Sequence, residues 1–212
     1  MTDQTGAVRD LIHGNASAVA PGAALGALTH GFELASTKDF GSDVEVLNYA
    51  LTLEYLEAEF YRQGNAAGLL KGKEKQYLMQ IGADEASHVA TVTATIQKLG
   101  GTPVGAPAVD FGGAFDSRKS YLTTSHIFEN KGVGAYLGAA GFVKDKMILQ
   151  AAAGIFGVEA RHAAVVGNLL GLKPEGGVYM GSTEVGIPKA DVLKAVAPFL
   201  QDPDKVVAAI TL

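Results

Sequence analysis

One plan occurs twice in this chain. A lone glutamate is followed by a Glu-x-x-His pair, first as Glu54, Glu85 and His88, then as Glu129, Glu159 and His162. The step from the lone glutamate to the pair is thirty-one residues in the first copy and thirty in the second. A tyrosine, Tyr61 or Tyr136, stands seven residues beyond each lone glutamate. These positions fall on apolar stripes. Leu78, Ile81, Glu85, His88, Val92, Ile96 and Leu99 recur every three or four residues, as do Ile148, Ala152, Ile155, Glu159, His162, Val166 and Leu169. The lone glutamates sit in the same way, Glu54 among Leu47, Ala50 and Ala58, and Glu129 among Leu122, Ser125 and Val143. That interval marks one face of a helix turned toward a core. Two copies predict two pseudo-symmetric helical hairpins packed as an all-α four-helix bundle.

The punctuation agrees. Ser42 or Asp43 caps a helix running to about Gly64, and further helices are predicted over about 73–99, 117–143 and 144–170. "GGTP" and "GLKPEGG" stop the second and fourth. Helices of about 25 residues are about 38 Å long. The Gly- and Pro-rich stretch of roughly 18 residues between the hairpins spans up to about 60 Å when extended, so it serves as a long crossover. The chain then divides into an N-terminal extension 1–42, the bundle 43–172, and a C-terminal extension 173–212 packing on the bundle. In that last part "VYMGSTEVGIP" reads as extended or turn-like, and "KADVLKAVAPFL" as a short helix cut at Pro198.

Charged residues make up only 18% of the chain, so four glutamates on core-facing stripes require a reason. Buried carboxylates without partners are very costly. Protonation would neutralise them, but two divalent cations offset all four and take the two imidazoles as further ligands. Glu-x-x-His suits this because i and i+3 share a helical face. The combination is the donor set of di-iron and di-manganese carboxylate bundles. One Glu-x-x-His is common on surfaces; two of them, each with an earlier glutamate and all on apolar stripes, are specific. The formal net charge of −5 argues against nucleic acid as a partner. The absence of Cys excludes disulfides and thiolate ligands. No run of about 18 apolar residues predicts a membrane span. "ASAVAPGAALGAL" has some character of a signal core, but it contains Pro21 and its basic flank is weak.

The sequence resembles a known family at four separate places. "LTLEYLEAEFYRQG", "DEASHV", "FENKGVGAYLGAA" and "VEARHAAVVGNLLG" are similar to the helices of ferritin-like proteins, with a bacterioferritin-like ligand pattern. They look most like the branch of bacterial desiccation-related proteins and fungal stress-induced relatives. The resemblance spans about residues 43–172. It implies a ferritin-like bundle holding two iron or two manganese ions per chain. Glu54 and Glu129 would be terminal ligands, Glu85 and Glu159 would bridge, and His88 and His162 would each complete one site. It also implies that Asp84 orients His162, because an aspartate precedes the bridging glutamate in bacterioferritin-like sites. The second copy breaks this rule, with Val158 before Glu159. Members of the family are often exported; the sequence as it stands reads as cytoplasmic, and as exported if a signal has been removed.

Several neighbours compete for roles. Glu57 lies three residues from Glu54 and shares its face, but Glu54 is preferred as the ligand; Glu59 is expected in solvent. His126 is taken as a core histidine or one standing behind the ligands. His13 and His30 are expected to be structural or exposed, and Arg161 to be an outward ion-pair partner. Tyr61 and Tyr136 are expected to hydrogen-bond the ligands. The function expected first is redox chemistry on O₂ or peroxide in oxidative or desiccation stress. Ferroxidase-type storage and a stress-protective protein with a structural metal pair are the alternatives. Homo-oligomers are open, but the long crossover and tail do not suit the subunit of a hollow storage cage.

Overall fold

The computed structural model describes residues 39–210. The signal-like segment, His13 and His30 and nearly all of the N-terminal extension lie outside the described residues. Four long helices follow: α1 (Asp43–Ala66), α2 (Gly72–Lys98), α3 (Arg118–Ala140) and α4 (Lys146–Leu169). Two short ones close the chain, α5 (Lys189–Val196) and α6 (Pro203–Ile210). No strand occurs among the described residues, only isolated bridges. α1 packs mainly on α2, and α3 mainly on α4, as two hairpins of one bundle.

The helix ends follow from local chemistry. Ser42 caps α1, accepting from the Glu45 N–H. Ser117 and Ser120 form a reciprocal capping box at the start of α3. Asp145 caps α4 by accepting from the Met147 and Ile148 amides. That cap explains why α3 stops at Ala140 and α4 begins at Lys146, rather than meeting at residues 143 and 144 as the periodicity predicts. The freed connection is tied to the bundle, because the Asp43 carboxylate accepts from the Lys144 and Asp145 amides at 2.8 and 3.0 Å.

The crossover is held along its length. The Asn48 side chain donates to the Thr102 carbonyl and accepts from the Val104 amide. Further on, Val109 pairs antiparallel with Leu200 of the tail. Phe111 and Phe115 then reach the ring of Phe60, which also meets Tyr121 and Phe128, all at centroid distances of 5.0–5.3 Å. The tail packs on α3, where the glycines have a use. A Cβ at Gly134 would lie 2.3 Å from Ile187 Cδ1, and one at Gly138 would lie 2.2 Å from the Ile187 carbonyl oxygen. The Ile187 amide donates to the Gly134 carbonyl at 2.8 Å. α5 ends before Pro198, which sits in a 3₁₀ turn, Ala197–Phe199. α6 was not expected from the sequence.

Candidate metal centre

Each long helix turns its glutamate of the repeat inward, and α2 and α4 add an imidazole one turn later. Glu85, Glu129 and Glu159 have no exposed surface, Glu54 is 1% exposed, and His88 and His162 are 9% and 5% exposed. The Nδ1 of His88 lies 3.3 Å from Glu54 Oε2, 3.3 Å from Glu85 Oε2 and 3.2 Å from Glu159 Oε1. The Nδ1 of His162 lies 3.0 Å from Glu85 Oε1 and 3.3 Å from Glu129 Oε2. Glu85 thus gives one oxygen to each imidazole. Donor atoms form two groups, each within 4.8 Å: Glu54, Glu85, His88 and Glu159, and Glu85, Glu129, Glu159 and His162. Glu85 and Glu159 belong to both. All six residues singled out by spacing are therefore brought together.

The tyrosines exchange partners between hairpins. Tyr61 of α1 donates to Glu129 Oε1 of α3, and Tyr136 of α3 donates to Glu54 Oε1 of α1. Burial pushes both phenols well above their ordinary range, so they stay neutral donors. The inward atoms are different. Glu54 Oε2, Glu85 Oε1, Glu129 Oε2, both oxygens of Glu159 and Nδ1 of His162 are buried without a hydrogen-bond partner. Buried native polar groups are nearly always paired. A convergence of unpaired carboxylate oxygens and ring nitrogens is chemically matched to hard or borderline divalent cations, so the residues fit a metal pair.

Charge behaviour tells the same story. Burial pushes Glu54 up to about 7 and raises Glu129, and it carries Glu159 well above the carboxylate range. Glu85 is also pushed up by burial, but the imidazoles of His162 and His88 that face it bring it down to about 2. Burial lowers the imidazoles, yet Glu159, Glu54 and Glu85 together lift His88 to about 12, and Glu129 and Glu85 lift His162 to about 11. Protons on the rings here do the balancing that metal charge would do.

Outer contacts distinguish the two groups. The His162 Nε2 faces Asp84 Oδ2 at 3.2 Å, and Asp84 in turn accepts from Gln80 at 2.9 Å. With a metal bound in place of the ring proton, an Nε2–H directed at a carboxylate would leave the Nδ1 lone pair for the cluster. The His88 Nε2 has no such partner among the described residues. Tyr61 also meets Ser125 Oγ at 2.6 Å, whereas the position matching Ser125 in the first copy is Ala50.

Other candidates fall elsewhere. His126 turns away to the tail, its Nε2 2.8 Å from the Gly177 carbonyl, and is not among the gathered donors. Arg161 points outward but forms no ion pair among the described residues; its guanidinium donates to the Gly157 carbonyl of its own helix. Glu59 pairs with Arg62 at 2.6 Å. Glu57 does face inward: it is only 4% exposed, and burial and the four neighbouring glutamates push its carboxyl well upward. The signal was its i+3 step from Glu54, which places both on one face.

No curated protein matches this chain. The sequence profile of the ferritin-like domain matches residues 42–172, the stretch that contributes every residue of the cluster. With more than half of the chain covered by that match, this protein belongs to the ferritin-like domain family.

Proposed function

We propose that this protein holds two iron or two manganese ions per chain and uses them for redox chemistry on O₂ or peroxide. The observation that carries the proposal is the pair of overlapping donor groups sharing Glu85 and Glu159, with inward atoms that lack any other partner. When bound, such a pair would supply two electrons, which with two protons reduce one peroxide to two waters; a second peroxide, oxidised to O₂ with release of two protons, would return them. The chain's own residues do the rest. Tyr136 and Tyr61 each hold the outer oxygen of a terminal glutamate, fixing the inner one toward the centre. Asp84 sets the ring orientation of His162. Full burial of Glu85, Glu129 and Glu159 keeps bulk water from competing for these positions. The resemblance of the four motifs to desiccation-related proteins supports a role in protecting a drying or oxidatively stressed cell.

The test is elemental analysis of protein loaded with Fe²⁺ or Mn²⁺ under exclusion of air, followed by a peroxide-consumption assay. Two ions per chain and turnover are expected. One ion or none would overturn the dinuclear reading. Two ions without turnover of peroxide or O₂ would leave a structural clamp and overturn the redox role.

A further inference from the structure

Glu57 is the one deeply buried carboxyl of the bundle to which the six-residue donor set gives no role. It is only 4% exposed, yet it makes no hydrogen bond or ion pair with any described residue. A carboxyl taken out of water without a partner is costly, and far more so when ionised. Its surroundings are the metal-centre glutamates, Glu159 first among them. A single glycine marks the place where they meet. A Cβ at Gly132 would lie 2.6 Å from Glu159 Oε2 and 3.4 Å from Glu57 Oε1. The two oxygens therefore border one small volume, kept open by a residue that weakens the middle of a helix. Gly132 is also the counterpart of Glu57 in the repeat, three residues beyond Glu129 as Glu57 is beyond Glu54. One hairpin offers an extra carboxylate and the other makes room for it.

The donor count points the same way. Each group contains four donor residues, with Glu57 in neither; an octahedral manganese site takes about six donors, so a further carboxylate moving in from beside Glu159 has a place to fill. We propose, resting on the dinuclear reading above, that Glu57 is a seventh ligand of the metal pair, entering from the α1–α3 side beside Glu159. The imidazoles come from α2 and α4, so Glu57 closes the side that they do not cover. A small cleft lined by Leu53, Phe128, Lys131, Gly132 and Val196 borders Glu57.

Glu57→Gln tests this directly, because glutamine has the shape of a neutral carboxylic acid and would replace a mere space-filler without effect. Metal-free wild type and variant are titrated with Mn²⁺ by EPR, and separately loaded with Co²⁺ for visible absorption. The variant is expected to bind at least about tenfold more weakly at one of the two positions, no less than loss of a supporting contact costs. Its Co²⁺ bands should also intensify, as they do when coordination number falls. Should Glu57→Gln fail to fold, judged by the melting of the metal-free protein, Glu57→Met carries the same test, since it fills similar volume without an oxygen donor. Wild-type affinity with a wild-type Co²⁺ spectrum in the folded variant would overturn the role of Glu57 alone. A wild type that binds neither ion would instead overturn the dinuclear reading.

Discussion

The two halves of the cluster share a plan inside and differ outside. Around Glu129 and His162, the carboxylate is held by Tyr61 with Ser125 behind it, and the imidazole by Asp84. Around Glu54 and His88, Tyr136 holds the carboxylate, but alanine replaces the serine and valine the aspartate. The difference teaches where a duplicated site is free to drift. A change among inward donors would remove charge that both ions of the proposed pair share, whereas a change among outer contacts would alter only how firmly one donor is aimed. Unequal binding of two chemically identical ions is the expected result.

The largest effect abolishes the comparison. Glu85→Ala removes oxygens belonging to both groups, so metal content should fall from about two ions per chain to near zero rather than to one. Elemental analysis after loading decides; retention of one full ion would mean that the halves do not depend on a shared bridge.

The next measurement sharpens it with acid. In metal-free protein, Glu54 keeps its proton to about 7 against an ordinary 4.5, so the folded state holds a proton that the unfolded chain has lost. That contribution falls as pH rises between those values. His88 and His162, raised from 6.5 to about 12 and about 11, act in the same direction above pH 6.5. Glu85 has the opposite sign, with stability lost as pH falls from 4.5 toward about 2. From about pH 5 to 8 the stripped protein should therefore become less stable. The loaded protein should gain relative to it, since protons compete with metal for the same atoms. Melting curves should show a gap that widens with pH and reaches several degrees at neutrality; a constant gap would contradict this.

Partial chelation separates the halves. Lacking an outer carboxylate typically costs about 10–100-fold in affinity, so the ion at Glu54 and His88 should leave first. Anomalous diffraction from partly stripped manganese-loaded crystals locates the loss; earlier loss at His162 would reverse the assignment. Asp84→Asn should narrow the gap by weakening the His162 position. The smallest effect is that of Ser125→Ala, which removes one neutral hydrogen bond behind Tyr61 and should cost about 1 kcal/mol of stability or less. A larger loss by thermal melting would mean that the serine holds more than the tyrosine.

The inner donors were legible in the sequence because they obey a rule of spacing: one face, two copies, a fixed interval. The helices were legible for the same reason, apart from ends decided by single caps such as Asp145. Contacts made across sequence distance leave no period to read. Nothing around His126 announces Gly177, and nothing in α3 tells that Gly134 and Gly138 receive Ile187. Glu57 is legible as a glutamate on the face of Glu54; its depth and its approach to Gly132 of another helix are not.

The exchange of contacts between hairpins has a consequence for ancestry and assembly. Each donor group takes three residues from one hairpin and one from the other, and each tyrosine braces the opposite half. Neither hairpin alone encodes a finished site. If the repeat arose by gene duplication, its single-hairpin ancestor was functional only as a pair of chains, with the crossover later fusing what had been separate polypeptides. The same interdependence predicts that a chain cut within the crossover would yield two fragments whose reunion the proposed ions would favour, since each fragment would only partly surround them.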